Sequence, residues 1–474
     1  MSRELEKYLL EAEGKTKEQL SSENPYRDIG FDGQKPRLGW MRVISFSKIK
    51  ERLHELDHAL RDKENFLFIG MGGSINGIKA LLSLRQKSSC YTLDSLDPRA
   101  LKEILTKIGD LKKTLIVPIS KSGTTKETQL LSTTLKELFA GDWLNHFVWL
   151  TDPTSFDKID SLGWKGSLKI SLQLDGETDI GGRFSCPHTL IFFLPLFLLL
   201  KKDFQALKAI YETYISFQGK IRESAYQFAE RYKDYDTAYF CPESALEDKE
   251  AFSSWIVQLF QESLGSKRQN FSIKTLGCFE EKKNGFLPLQ LDFTIDNPII
   301  SLMAQMYFFQ VFIAYYAALK RVDFVTQDFV EKYKEQMRKL GGESLDDIAS
   351  IDEDSLTEEV RRRIKDSHHF IEIVLYFYPT RGFIRRIERI FKAAFCDKII
   401  FVFIGSDWNH HSYQAAFADK STFYIFLLSS YTPEGLPFPG EILQKNVRTL
   451  HLISKATYLT LQEKSLLFRL QNTD

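Results

Sequence analysis

Between Val117 and Thr128 the chain reads VPISKSGTTKET, with Ser120, Ser122, Thr124 and Thr125 crowded into one turn behind a short apolar run. Lys121 adds a charge, and KETQLL begins a helical pattern directly afterwards. Four hydroxyls beside helix-start amides suit the oxygens of a phosphate monoester. Capping a helix needs only one such residue. A second small-residue loop, GMGGSING, places Gly70, Gly72, Gly73 and Gly77 between a strand-like and a helical stretch. Glycines there let backbone N–H groups approach a ligand closely. A dinucleotide site with Asp94 or Asp97 on the ribose is the rival reading, but Ile75 stands where the third Gly of G-x-G-x-x-G belongs. Further along, Gln258 and Glu262 lie four residues apart and so share one helix face. Arg183 follows two glycines, which gives its loop a tight geometry.

These residues need elements to hold them. FLFIGMGG, CYTLDSLD, TLIVPIS and HFVWLTD read as short strands, with helical stretches such as NGIKALLSLRQK between them. Strands interleaved with helices predict parallel βαβ units, whose ligands bind at the carboxyl ends of the strands. Both loops sit at such ends. Long helices follow, then TAYFCPES, QNFSIKTLGCF, KIIFVFIG, TFYIFLL and RTLHLI, again strand-like. The pattern predicts an N-terminal helical segment with a first α/β domain over 1–215, and a second with a C-terminal extension over 216–474. The acidic run Gly341–Arg363 reads as an exposed insertion.

Composition narrows the function. The chain has 474 residues, with 63 Lys+Arg against 63 Asp+Glu. Zero net charge argues against a broad nucleic-acid footprint. Five widely spaced cysteines, with no C-x-x-C pair, suit free thiols in a reducing compartment and no zinc framework. The charged N-terminus lacks the apolar core of a signal peptide. Ile299–Leu319 approaches the length of a membrane span but carries Ser301, Gln305 and Gln310, so it reads as a buried core helix. The expectation is a cytoplasmic protein without membrane or nucleic-acid partners.

GGSING followed by SKSGTTKET resembles the sugar isomerase (SIS) domain. Within it, the chain resembles the glucose-6-phosphate isomerase family. GGRFS (Gly181–Ser185) is similar to that family's GGR-[FY]-S motif, and QLFQESLG (Gln258–Gly265) to its Q-x-x-x-E-S-x-G motif. QDFVEKYK (Gln327–Lys334) and GSDWNHHSYQ (Gly405–Gln414) are looser matches. The resemblance implies two doubly wound SIS-type domains with mainly parallel sheets and helices on both faces. It implies aldose–ketose isomerisation of a small sugar phosphate, with no cofactor and no metal. Ser120, Lys121, Ser122, Thr124 and Thr125 would hold the phosphate, Gly73 and Ser74 would contact the sugar, and Gln258 would lie near the sugar or its phosphate. Glu262 would be the general base and Arg183 would stand beside the reacting carbons. Gln327 and Lys334 would close the site. His410, or His411 if one deletion is allowed, would assist ring opening. The resemblance also implies a homodimer whose catalytic His comes from the neighbouring subunit. In most members the His precedes the Lys. Here it follows Lys334, an order that resembles the isomerase portions fused to transaldolase in some bacteria. Two further readings are another sugar-phosphate isomerase of the superfamily and a non-catalytic sugar-phosphate sensor, which would need SKSGTT but not Glu262, Arg183 and His410 together.

Overall fold

A computed structural model describes residues 2–85, 88–234, 238–243, 246, 250–265, 273–275, 286–327, 329–341, 345, 347–429, 435–471 and 473. A small antiparallel hairpin, β1 (Phe31–Asp32) and β2 (Lys35–Pro36), precedes the first sheet. That sheet contains β3 (Asn65–Ile69), β4 (Cys90–Leu93) and β5 (Thr114–Pro118) in the order β4-β3-β5, all parallel. Single bridges from Ile116 to Phe147 and from Ile119 to Leu150 carry it on to the parallel pair β6 (Val148–Thr151) and β7 (Leu168–Ser171). A three-stranded parallel sheet orders as β10-β8-β9, with β8 at Ala238–Pro242, β9 at Ile273–Thr275 and β10 at Leu287–Leu289. The last sheet is parallel throughout and orders as β11-β15-β14-β12-β13. Its strands are β11 (Ser350–Ile351), β12 (Phe370–Tyr376), β13 (Ile399–Ile404), β14 (Thr422–Ser429) and β15 (Ser465–Leu470).

Both large sheets are covered on both faces, which is why their strands read as near-continuous apolar runs. In the first, Phe66, Phe68, Leu115 and Val117 face one core with the helices Leu190–Leu199 and Pro298–Lys320. Leu67, Ile69, Ile116 and Trp149 face the other, with the helices Pro98–Ile108 and Lys126–Lys136. In the second, Ile371, Ile373 and Leu375 pack on Phe383, Ile387 and Phe391, while Val374 and Tyr376 pack with Trp408, Tyr413 and Ile453. The expected doubly wound α/β architecture is therefore present. Pro298–Lys320 is the one helix among the described residues long and apolar enough to cross a membrane, and it is enclosed within the protein.

The position 215/216 lies within one continuous helix, Phe204–Tyr232. Three expectations change. RTLHLI belongs to the helix Gly440–Leu461, because Leu443, Asn446, Leu450, Ile453 and Thr457 bury one helical face. The run Gly341–Arg363, expected as an exposed insertion, is partly packed: β11 pairs with β15, and the helix Glu353–Arg363 buries Leu356 and Val360. Of TAYFCPES, Ala238–Pro242, and of QNFSIKTLGCF, Ile273–Thr275, join β10 in the small separate sheet, with the flanks of β9, including Lys267 and Cys278, outside the described residues. The sequence reading named neither β12 nor β15. β12 carries a charged residue, Glu372, whose carboxylate pairs with the buried Lys274.

Candidate active site

The loops after β3, β5 and β13 converge at the carboxyl ends of their strands, and the helix Glu250–Leu264 runs between them. After β3 the chain makes a turn over Gly72–Ser74. A Cβ on Gly73 would sit 2.4 Å from the carbonyl carbon of Gly182, so the two glycine motifs lie back to back. This close approach delivers Arg183 to the glutamate helix. Its Nε donates to Ser263 Oγ at 2.7 Å, its Nη2 to the carbonyls of Phe324 (2.7 Å) and Val325 (3.0 Å), and its Nη1 lies 3.3 Å from Glu262 Oε1.

Glu262 is buried. Gln258 donates to its Oε2 at 2.9 Å, and Gln327 donates to its Oε1. Burial lifts the Glu262 carboxyl above the usual range, although Arg183 and Gln258 oppose it. Gln258 also donates to the His410 carbonyl at 3.1 Å and accepts from Asn76 at 3.1 Å. The last residue of the QESLG segment is explained as well: a Cβ on Gly265 would lie 2.6 Å from Ala415 Cα. Gln414 fastens this end by donating to the Gly265 carbonyl (3.0 Å) and accepting from the Phe329 amide (3.1 Å).

The two histidines part company. His410 Nε2 lies 3.0 Å from Glu127 Oε1. Burial alone would lower His410, but the charge and hydrogen bond of Glu127 prevail and raise it, while Glu127 is held below its usual range. His411 points to the other side, into a cavity of about 730 Å³ that it shares with Lys79, Asp94 and Asp407, and burial pushes it down to about 4. Of the two, it is His410 whose ring meets Glu127 and whose carbonyl accepts from Gln258, both within the same chain. Sequence reading missed Glu127, although it lies inside the opening stretch. Asp407 was missed too; its Oδ1 accepts the Gly72 amide at 3.0 Å.

In the hydroxyl loop, Ser120 Oγ lies 3.0 Å from Thr125 Oγ1 and Ser122 Oγ 2.7 Å from Thr124 Oγ1. Thr125 holds the N-cap position of the helix Lys126–Lys136 without a side-chain cap bond. The hydroxyls therefore form a paired cluster in front of first-turn amides, with Ser122 and Thr124 exposed. Lys121 turns away from them, its Nζ donating to the carbonyls of Ile180 (2.6 Å) and Thr178 (3.3 Å). Ser74 is half-buried at the end of its turn. Lys334 is half-buried and pairs with Glu331 at 2.7 Å; its charge bears on His410, and its bond goes to Glu331 and not to Glu262. Asp94 pairs with Lys79 (2.7 Å) and Asp97 caps the helix Pro98–Ile108 through the Arg99 amide (2.7 Å), so both candidate ribose ligands have structural partners. Among the described residues no group of His, Cys, Asp and Glu is arranged to hold a metal ion.

No family model matches the chain. It is 32% identical over 160 residues to the glucose-6-phosphate isomerase of Thermus thermophilus, which covers 31% of this chain and 36% of that protein. It is 29% identical over 249 residues to the glucose-6-phosphate isomerase of Campylobacter jejuni, covering 49% and 58%. The match thus spans less than two thirds of the length of either relative. A crystal structure of a glucose-6-phosphate isomerase from Chlamydia trachomatis superposes with a TM-score of 0.50 at 17% identity, over 72% of this chain and 84% of that one, and shares its fold.

Proposed function

We propose that the chain is an aldose–ketose isomerase that interconverts glucose 6-phosphate and fructose 6-phosphate. The observation that carries this reading is the buried Glu262 carboxylate, held between Arg183, Gln258 and Gln327, with the His410–Glu127 pair beside it. The relatives named glucose-6-phosphate isomerase support the substrate. Moving a proton between C1 and C2 needs one carboxylate that removes it and returns it one carbon away through a cis-enediol(ate). Burial makes Glu262 a stronger base than an exposed glutamate. The Arg183 guanidinium, fixed by Ser263 and two carbonyls, stabilises the charge that develops on the enediolate oxygens. His410, its imidazolium favoured by Glu127, donates a proton to the ring oxygen during opening and takes up the one the anomeric hydroxyl releases, and reverses both transfers on closure. The hydroxyl loop and the first-turn amides behind it hold the phosphate. A homodimer fits this reading, yet each site draws its groups from one chain.

Glu262→Gln keeps the shape and removes the base, so turnover measured with a coupled assay should fall by about 10²–10⁴-fold or more while sugar-phosphate binding persists. A sensor would bind sugar phosphate equally in parent and variant and turn over in neither. Unchanged turnover in the variant would remove Glu262 from the mechanism.

A further inference from the structure

Beside Glu262 lies a second pocket, of about 280 Å³, lined by Asp32, Arg37, Lys121, Gly181–Phe184 and Val325–Gln327. Three cations and one carboxylate face it, and of the hydroxyl loop only Lys121 contributes. Arg37 follows the hairpin of β1 and β2, a part of the chain that none of the recognised motifs includes. Its Nη1 donates to the Thr178 carbonyl at 2.8 Å and its Nη2 to Asp32 at 2.8 Å. Lys121 donates to the same Thr178 carbonyl and to Ile180. Two cations are thus tied to one shared backbone acceptor, the Thr178 carbonyl, and each has further N–H donors to offer. Asp32 is 53% exposed, so its charge is screened. The other carboxylates near Lys121 are Asp152, 3.9 Å away, and Asp179, which is bonded to Arg42. They do not offset the burial and the Arg37 charge, which together push Lys121 down to about 8. An anion entering between the two would relieve that repulsion.

We propose that Arg37 and Lys121 form an oxyanion subsite, separate from the hydroxyl loop, for the second anionic group of a doubly charged sugar ligand such as a sugar bisphosphate. Arg183 and Gln327 line this pocket and also bond Glu262, so a ligand spanning both sites would cross the reacting centre. The sugar portion rests on the proposed function; the anion subsite does not.

Sodium sulfate, titrated calorimetrically into the full chain at constant ionic strength, tests it without any turnover. The parent should bind two sulfates. Arg37→Gln and Lys121→Gln should each lose one, and the Ser122→Ala/Thr124→Ala variant the other. Arg37→Lys, which keeps a cation, should retain part of the affinity and separates loss of charge from misfolding. Affinity at the Arg37 subsite should also drop about tenfold between pH 7 and pH 9 as Lys121 deprotonates, while the loop subsite holds. No sulfate bound, or a single sulfate that survives Arg37→Gln and Lys121→Gln, would overturn the subsite. Failure of isomerase activity would leave this result standing.

Discussion

The contact between His410 and Glu127 spans 283 positions in sequence, and it sets the ionisation of both groups. The His410 pKa is raised, so its share of the pair's stability is complete below the ordinary histidine value and lost as pH climbs through the raised one. The Glu127 pKa is depressed, so its share is complete above the ordinary glutamate value and lost as pH falls through the lowered one. Glu127→Gln should therefore move the alkaline limb of the pH–turnover profile to lower pH, with the acid limb, set by Glu262, in place. A profile that keeps its alkaline limb would detach His410 from catalysis. Arg183 and Glu262 make the second testable pair. Arg183→Met leaves a buried carboxylate without its partner, and thermal unfolding should show a loss of about 3–5 kcal/mol. Sequence motifs announced Glu262, Arg183, Gln258 and Gln327, which the structure brings together. Glu127 stayed hidden because a glutamate in the first turn of a helix is what the helix dipole favours anyway. His410 and His411 could not be separated by residue type. On a helix they point about 100° apart, and only packing decides which side faces Glu262.

At the scale of elements, the two glycine motifs are read best as one joint. Gly73→Ala would press a methyl into the Gly182 backbone, which cannot swing aside as a side chain could. The expected outcome is a loss of about 1–3 kcal/mol in unfolding measurements, with turnover falling further as Arg183 shifts. A variant as stable and as active as the parent would show that the joint is not needed. The strands of the first sheet were legible, because runs such as Phe66–Ile69 are short, apolar and bounded by turn residues. RTLHLI illustrates the limit: a short apolar run fits a strand or a buried helix face, and only its setting in the 22-residue helix Gly440–Leu461 resolves it. β11 and the helix Glu353–Arg363 were obscured by the charges that cover their outer side.

Across the whole molecule, chain order explains how the site is assembled. His410 follows Lys334 in sequence, and the loop after β13 of the second large sheet brings it to the Glu262 helix of the same chain. Unfolding and refolding Glu262→Gln together with His410→Ala should therefore regain no activity, because mixed assemblies would still hold one lesion in every site. Regain toward about a quarter of parental turnover, the share expected of random pairs with one sound site in half of them, would place His410 across a subunit boundary. The central claim, that Glu262 shuttles a proton between adjacent sugar carbons, is tested most directly by nuclear magnetic resonance of fructose 6-phosphate incubated with the protein in deuterated water. The account predicts glucose 6-phosphate that carries deuterium at C2 in the parent, and loss of both product and label in Glu262→Gln. No interconversion by the parent, or product formed without any label and unaffected by Glu262→Gln, would contradict it.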